Sequence, residues 1–358
     1  MKKPIIKPSN PFFSCGPTRK PSGWNLKIIN DSFLGRYHRS KDVLEYVESI
    51  LEKTKKILEI PKDYKIFIVP GSCTGAMDAV FWSILGPRKI TSIVYDEWGC
   101  SWNKEIEKLN VDIDCRKSMN GVPPNLKNIS RTNDIVLVWT GTTFGMTISD
   151  INFIPKDHSG LVIADITSAA FICHLPWKKI DISVFSWQKA LGSESQHGMI
   201  VLSPKAFKRL KKVRRLIPKI LDIRNFKDFI NTPSLLSVSD FSLCLDLYEK
   251  RGGLMGNNKI CIENKLIIEN WVKKNKYLSY FVKDENYRAL TPTYLIFRSK
   301  FNYDKLFNYL IKERVAFDIK NYRGTKPGLR IWTGPTIKKK DLISLTNWLD
   351  WTFYKYAK

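Results

Sequence analysis

Three segments place reactive residue types directly after short apolar runs. KIFIVP is followed by Gly71-Ser72-Cys73-Thr74-Gly75, which opens the apolar stretch AMDAVFWSIL. Small residues let backbone amides approach an anion, and a helix N-terminus contributes roughly half a positive charge, so this turn could hold a phosphate. It has neither the Gly-Lys-Ser/Thr of a nucleoside triphosphate loop nor Gly-x-Gly-x-x-Gly, and a plain strand-to-helix turn explains it equally well. LVIAD ends in Asp165 inside an apolar stretch. A carboxylate buried there needs a cation; otherwise it serves as a helix or turn cap. ISVFSWQ leads into Lys189, 24 residues after Asp165. Desolvation lowers a lysine pKa and would make this amine a Schiff-base former, against the alternative of an ordinary solvated lysine.

A phosphate cradle, a buried carboxylate and a desolvated lysine at neighbouring strand ends match the needs of pyridoxal phosphate. That cofactor requires an amine for its aldehyde, a partner for its pyridinium nitrogen and a phosphate site. Trp98, in the expected loop after SIVYD, offers a flat surface for stacking a ring.

Those groups need a scaffold that brings strand ends together. KIFIV (65–69), SIVYD (92–96), VDIDC (111–115), IVLVW (135–139), LVIAD (161–165), ISVFSW (182–187) and GMIVLS (198–203) are short, β-branched and apolar on both faces. With helices or loops between them, including a helix expected over 101–109, they predict a mostly parallel sheet buried on both sides. Ligands of such sheets lie beyond the carboxyl ends of the strands. Before it, residues 1–24 hold five prolines and read as an extended arm, and VLEYVESILEKTKKIL has helical apolar spacing. After Gly252-Gly253 come a helix over 260–274, YLIFR (294–298), a helix over 303–313, AFDI (316–319), GLRIWT (328–333) and a terminal helix over 339–355. The expected organisation is an arm (1–24), a large α/β domain (25–255) and a small α+β domain (256–358).

Composition removes several other readings. With 12% aromatic and 43% apolar residues, the chain is not intrinsically disordered. No apolar run approaches the ~18 residues of a membrane span, and MKKPIIKPSNPFF lacks the apolar core of an export signal, so a cytoplasmic location without membrane contact is expected. The seven cysteines are widely spaced and include no Cys-x-x-Cys, against a disulfide framework or a zinc site, and no metal is expected. The net charge is +25, from 59 basic and 34 acidic residues. The lysines are spread along the chain, with short clusters such as KAFKRLKKVRR (205–215), and form no basic tail. That spread argues against nucleic acid as the main partner.

In order along the chain, FSCGPTRKPSGW, GRYHRSK, IVPGSCTGAMDAVFWSILG, WTGTTFG, ADITSAAF, FSWQKALGSESQHGM, INTPS and PGLRIWTG resemble the motifs of the phosphoserine aminotransferase family. This family belongs to the class V, fold type I pyridoxal phosphate enzymes, and the chain is most similar to its alphaproteobacterial variety. The resemblance implies an α/β fold with a seven-stranded, mostly parallel sheet flanked by helices and a small C-terminal α+β domain. It also implies transamination between 3-phosphohydroxypyruvate with glutamate and phosphoserine with 2-oxoglutarate, in a homodimer with shared active sites. Pyridoxine biosynthesis, through 4-phosphohydroxythreonine, is a second role of such enzymes.

By the same resemblance, Lys189 would carry the cofactor and Asp165 would hold its ring nitrogen protonated. Trp98 would stack on the ring and Thr142 would bond its phenolic oxygen. Cys73, Thr74 and Gln188 would bind the cofactor phosphate, joined by Asn231 and Thr232 of the neighbouring subunit. Arg330 would clamp the substrate carboxylate, and His38 with Arg39 its phosphate. Thr74 stands where many bacterial members have a phosphate-binding arginine, and Arg323 is a candidate substitute. His158 is expected in a loop and His174 in a structural role, while His197 could line the site. A serine-pyruvate or alanine-glyoxylate enzyme would share Lys189 and Asp165 but have no use for His38-Arg39. A nucleic-acid-binding protein would leave Lys189 and Asp165 without a purpose.

Overall fold

The apolar strands can be buried on both faces only if helices cover them, and the computed structural model, which describes residues 1–148, 150–225 and 227–356, has that arrangement. The end of the 256–358 segment thus lies outside the described residues. In chain order the elements are α1 (Lys41–Ile57), β1 (Lys65–Pro70), α2 (Ser72–Ile84), β2 (Ile90–Val94), α3 (Glu97–Glu107), β3 (Ile113–Lys117) and β4 (Asp134–Val138). A short ribbon follows, β5 (Thr140–Gly141) with β6 (Met146–Thr147), then β7 (Val162–Asp165), β8 (Ile182–Ser186), β9 (His197–Leu202), α4 (Pro204–Leu210), α5 (Leu235–Lys250) and α6 (Gly253–Lys274). The chain continues through β10 (Leu278–Tyr280), β11 (Thr293–Phe297), α7 (Tyr303–Lys312), β12 (Gly328–Ile331) and α8 (Lys339–Tyr356).

The main sheet has seven strands in the order β1-β9-β8-β7-β4-β2-β3. Six run parallel. β9, formed by GMIVL of the segment GMIVLS with His197 before it, is antiparallel to both of its neighbours, β1 and β8. The strands β2, β4 and β8 are buried at every residue, and α2 packs across β8 and β9 on one face. α1 turns Val43, Val47, Ile50 and Leu51 into the core, the spacing expected for one face of a helix.

Three expectations need correction. The expected helix over 101–109 begins earlier, because the Asp96 side chain accepts the Gly99 amide at 2.9 Å and caps α3 at its start. Trp98 therefore stands in the first turn of that helix and not in a loop. AFDI forms no strand; Phe317 and Lys320 make only isolated bridges, to Phe12 and Leu329. The third strand of the small antiparallel sheet β10-β11-β12 is instead the three-residue β10, too short to leave a periodic signal.

The N-terminal arm bridges the two sheets. Phe13 accepts the Trp332 amide, and Arg19 makes a buried 2.8 Å ion pair with Asp341 of α8. A few residues on, Thr18 binds the carbonyls of Gln188 and Lys189, at 2.9 and 2.7 Å. Asp240 of α5 then collects Lys20, Trp24, Ser193 and the Glu194 amide. Both flanks of the Lys189 turn are pinned by this set.

Candidate active site

The common direction of β1, β2, β4, β7 and β8 sets their carboxyl ends along one edge, β1 through the antiparallel β9 between it and β8, and a cavity of about 130 Å³ opens there. Its lining includes Ser72, Cys73, Thr74, Trp98, Thr142, Asp165, Gln188 and Lys189. Seven of the expected site residues are thus brought together within one chain, from segments spread over more than 100 residues of sequence.

Asp165 ends β7, in register with Val138 of β4 and Val184 of β8. It is 4% exposed. Its Oδ1 accepts the Thr167 amide at 3.0 Å, and its Oδ2 accepts the indole N–H of Trp102 at 3.1 Å. Lys189 is 8% exposed, and its Nζ donates to the Cys15 carbonyl at 2.6 Å. Burial pushes its ammonium down to about 8; the nearby Arg330 guanidinium adds to this, while the Asp165 charge opposes it. Gly16 makes this position possible, since a Cβ there would lie 2.1 Å from Lys189 Nζ.

At the end of β1, Gly71 adopts a left-handed φ of 82° and precedes α2 without a side-chain cap. The Ser72 amide donates to the Gln196 carbonyl at 3.4 Å, while the Cys73 and Thr74 amides have neither an intrahelical acceptor nor a side-chain cap, as an anion site requires. Gln188 donates to Ser72 Oγ at 3.2 Å, while its Oε1 and the hydroxyl of Thr167 are buried without a partner. Thr142 and Ser168 share a 3.0 Å hydrogen bond at the rim. A cavity whose lining holds uncapped amides, unpaired polar atoms, a carboxylate and an amine fits a flat, phosphate-bearing aldehyde.

Arg330 of β12 lies over the Tyr322 ring at 5.1 Å, with its Nε buried and unpaired. Arg323 is exposed in the adjoining turn. His38, Arg39 and Asn231 do not line the cofactor-sized cavity of their own chain. Arg39 and Asn231 share a separate open groove of about 700 Å³ with Lys219, Lys227 and Phe229, against whose ring His38 packs edge-on at 5.9 Å. Thr232 is exposed next to Asn231.

His197 does not line the cavity. It is 2% exposed, its Nε2 accepts the Ser234 amide at 3.0 Å, and burial pushes its pKa down to about 4. His158 bonds the Asn133 carbonyl at 2.8 Å, and His174 lies exposed within 3.7 Å of Glu59. All seven cysteines are free. Among the described residues, no cluster of three or more His, Cys, Asp or Glu could hold a metal, and no helix is long and apolar enough to cross a membrane.

Sequence reasoning missed Cys15, Gly16, Thr140, Thr167, Ser168 and Trp102. The arm residues carry no local signal, because they meet Lys189 across more than 170 residues of chain. Trp102 could have been found as the second tryptophan on the face of α3 that bears Trp98.

No protein-family model matches the chain. Among solved structures, the phosphoserine aminotransferase of Cytophaga hutchinsonii superposes with a TM-score of 0.83 at 18% identity, covering 97% of this chain and 99% of that one. The pyridoxal phosphate-bound phosphoserine aminotransferase of Trichomonas vaginalis does so with 0.80 at 15% identity, covering 95% and 99%. At these identities the likeness speaks for the fold, that of the fold type I transferases. Sequence carries it further. The curated phosphoserine aminotransferases of Methanosarcina mazei and Methanosarcina barkeri are 37% and 36% identical over 365 aligned residues, covering 98% of this chain and 99% of each relative. Identity of that extent spans the cavity, the small antiparallel sheet and most of the N-terminal segment together, and this chain belongs to the phosphoserine aminotransferase family.

Proposed function

We propose that the chain is a pyridoxal phosphate-dependent phosphoserine transaminase. It would exchange an amino group between glutamate and 3-phosphohydroxypyruvate, giving phosphoserine and 2-oxoglutarate in serine biosynthesis. The observation that carries the reading is the placement of Lys189 and Asp165 in one cavity, in a chain that matches this family over nearly its whole length. When bound, the cofactor supplies an electron sink for the bond cleaved at the substrate Cα. The chain's own residues do the rest. Lys189 would hold the cofactor aldehyde and, when its amine is free, would take and return the Cα proton; burial lowers the pKa of that free amine to about 8. Asp165 holds the proton on the ring nitrogen, and Trp98 covers the ring. Thr142 donates to the phenolic oxygen, and the amides of Cys73 and Thr74 with Gln188 take the phosphate. Arg330, with its unpaired buried Nε, clamps the substrate carboxylate.

The remaining assignments complete this reading. His38 and Arg39 bind the second anion of the substrate, and Asn231 and Thr232 bind the cofactor phosphate of a neighbouring subunit. Support comes from Arg39 and Asn231, which line an outer groove that Lys189 does not line and where a second chain could use them. A homodimer in the cytoplasm, the division into 1–24, 25–255 and 256–358, and a second use of 4-phosphohydroxythreonine in pyridoxine biosynthesis belong to the same proposal.

A substrate panel tests the assignment. Phosphoserine should react far better than serine or alanine; equal rates would leave a general class V aminotransferase in its place. A charge-assisted contact to phosphate contributes about 1.5 to 3 kcal/mol. Arg39→Ala should therefore lower kcat/KM for phosphoserine by roughly 10- to 200-fold, with the slow reaction of serine nearly unchanged. Equal losses on both substrates would remove Arg39 from the phosphate site. Shared sites have their own consequence: mixed dimers of a Lys189→Ala chain and an Asn231→Ala/Thr232→Ala chain should regain activity that neither parent has. Verified mixed dimers that stay inactive would refute the sharing.

A further inference from the structure

Trp102 is a bulky side chain 2% exposed in the core of the α/β layer, and nothing in the reaction as described above uses it. Its surroundings are more specific than those of a core filler. The indole Nε1 donates to Asp165 Oδ2 at 3.1 Å, while the Thr167 amide occupies Oδ1 at 3.0 Å. One helical turn earlier on α3 stands Trp98, whose ring lies 5.8 Å from that of Trp102 with 34° between the planes. Phe81 of α2 closes the other side edge-on, at 6.3 Å and 71°. The capped start of α3 at Asp96 fixes the whole turn.

We infer that Trp102 is a positioning residue for the ring-nitrogen carboxylate. A carboxylate in a low-dielectric site is held in its charged form by hydrogen-bond donors. A cationic donor would compete with the ring N–H for the same negative charge, whereas a neutral indole stabilises the anion and leaves its charge available. The two donors, one on each oxygen, fix the Asp165 plane in the cavity wall, where the Cys73 thiol also lies against the carboxylate. Trp98 and Trp102 sit on one rigid turn, so the ring's stacking surface and the orientation of its charge partner are set by the same helix.

This inference rests on the assignment of Asp165 to the ring nitrogen, and a double-mutant cycle separates the two. W102F keeps an aromatic ring and removes the donor. In the reconstituted protein, the dissociation constant for pyridoxal phosphate should rise about tenfold, the range for a hydrogen bond to a charged group. The proton on a ¹⁵N-labelled ring nitrogen should be lost about one pH unit lower, kcat should fall about tenfold, and KM for glutamate should stay within about twofold. In a D165N background W102F should add less than a twofold change in any of these. The inference is overturned if W102F leaves cofactor affinity and the ring-nitrogen titration as in the wild type, or if its effect persists undiminished beside D165N. If D165N alone is without effect, the Asp165 assignment falls first and the inference with it. Should W102F not fold, 3-benzothienylalanine at position 102 lacks only the N–H and gives the same readouts in an intact core.

Discussion

Lys189→Ala should leave a folded protein that transaminates at least ~10⁴-fold more slowly than the parent, because one amine serves both as covalent anchor and as proton carrier at the substrate Cα. Its side chain is poised for this by burial. At an ordinary lysine pKa only about one molecule in 3000 is neutral at pH 7, whereas at a pKa near 8 about one in ten is. The sign follows directly: the pKa is depressed, so the neutral amine becomes dominant as pH rises through about 8, some two units earlier than for a solvated lysine. The rate at which the cofactor-free protein takes up pyridoxal phosphate should climb with that midpoint. Borohydride trapping followed by peptide mapping checks the assignment; a label on another lysine, or a midpoint near 10.5, contradicts it. Folding of the Lys189→Ala chain should be unimpaired, since the bond lost with the side chain, to the Cys15 carbonyl, leaves an oxygen beside the cavity that water can satisfy, and the bonds to the Lys189 carbonyl from Thr18 and Gly192 remain.

How much of this was legible in the sequence depends on whether each feature is local. The strands around Ile135, Ile163 and Val184 were readable because a segment buried on both faces must be apolar throughout. Asp165, Lys189 and the turn at Gly71 stood out because polar or flexible residues directly after such segments have few structural uses. The antiparallel direction of β9 left no trace, since a buried strand has the same composition in either sense. AFDI failed as a strand because its bonding is split between two partners: the Phe317 amide donates to the Pro11 carbonyl of the arm, with the Phe12 ring on Phe317 at 5.7 Å, while the Ile319 carbonyl accepts the Arg330 amide of β12 at 2.8 Å. Trp98 moved from loop to helix because Asp96 supplies a cap that counted only as the end of SIVYD. The arm's role was invisible for another reason: Gly16 and Cys15 matter through a lysine more than 170 positions away, and only the folded chain joins them.

The charge of Asp165 should prove almost as important as the amine of Lys189, and Asp165→Asn isolates it. Asparagine keeps the size of the side chain and an oxygen able to accept from the Thr167 amide or the Trp102 indole. It loses the negative charge that makes protonation of the ring nitrogen favourable inside a cavity with little water to do the same. An unprotonated ring is a poor electron sink, so the barrier at the substrate Cα rises while the binding contacts to the cofactor phosphate at Cys73, Thr74 and Gln188 are untouched. Losing a preorganised electrostatic contact of this kind costs on the order of 3 kcal/mol, or at least ~100-fold in kcat. Cofactor should still load onto Lys189, and KM for phosphoserine should change little, because Arg330, His38 and Arg39 do not touch Asp165 in the structure. A cofactor analogue with a permanently charged, N-methylated ring nitrogen should recover part of the lost rate in the variant, since it carries the positive charge that the carboxylate otherwise sustains. Near-normal turnover of Asp165→Asn with the natural cofactor would remove the residue from catalysis and leave it as a cap at the end of β7.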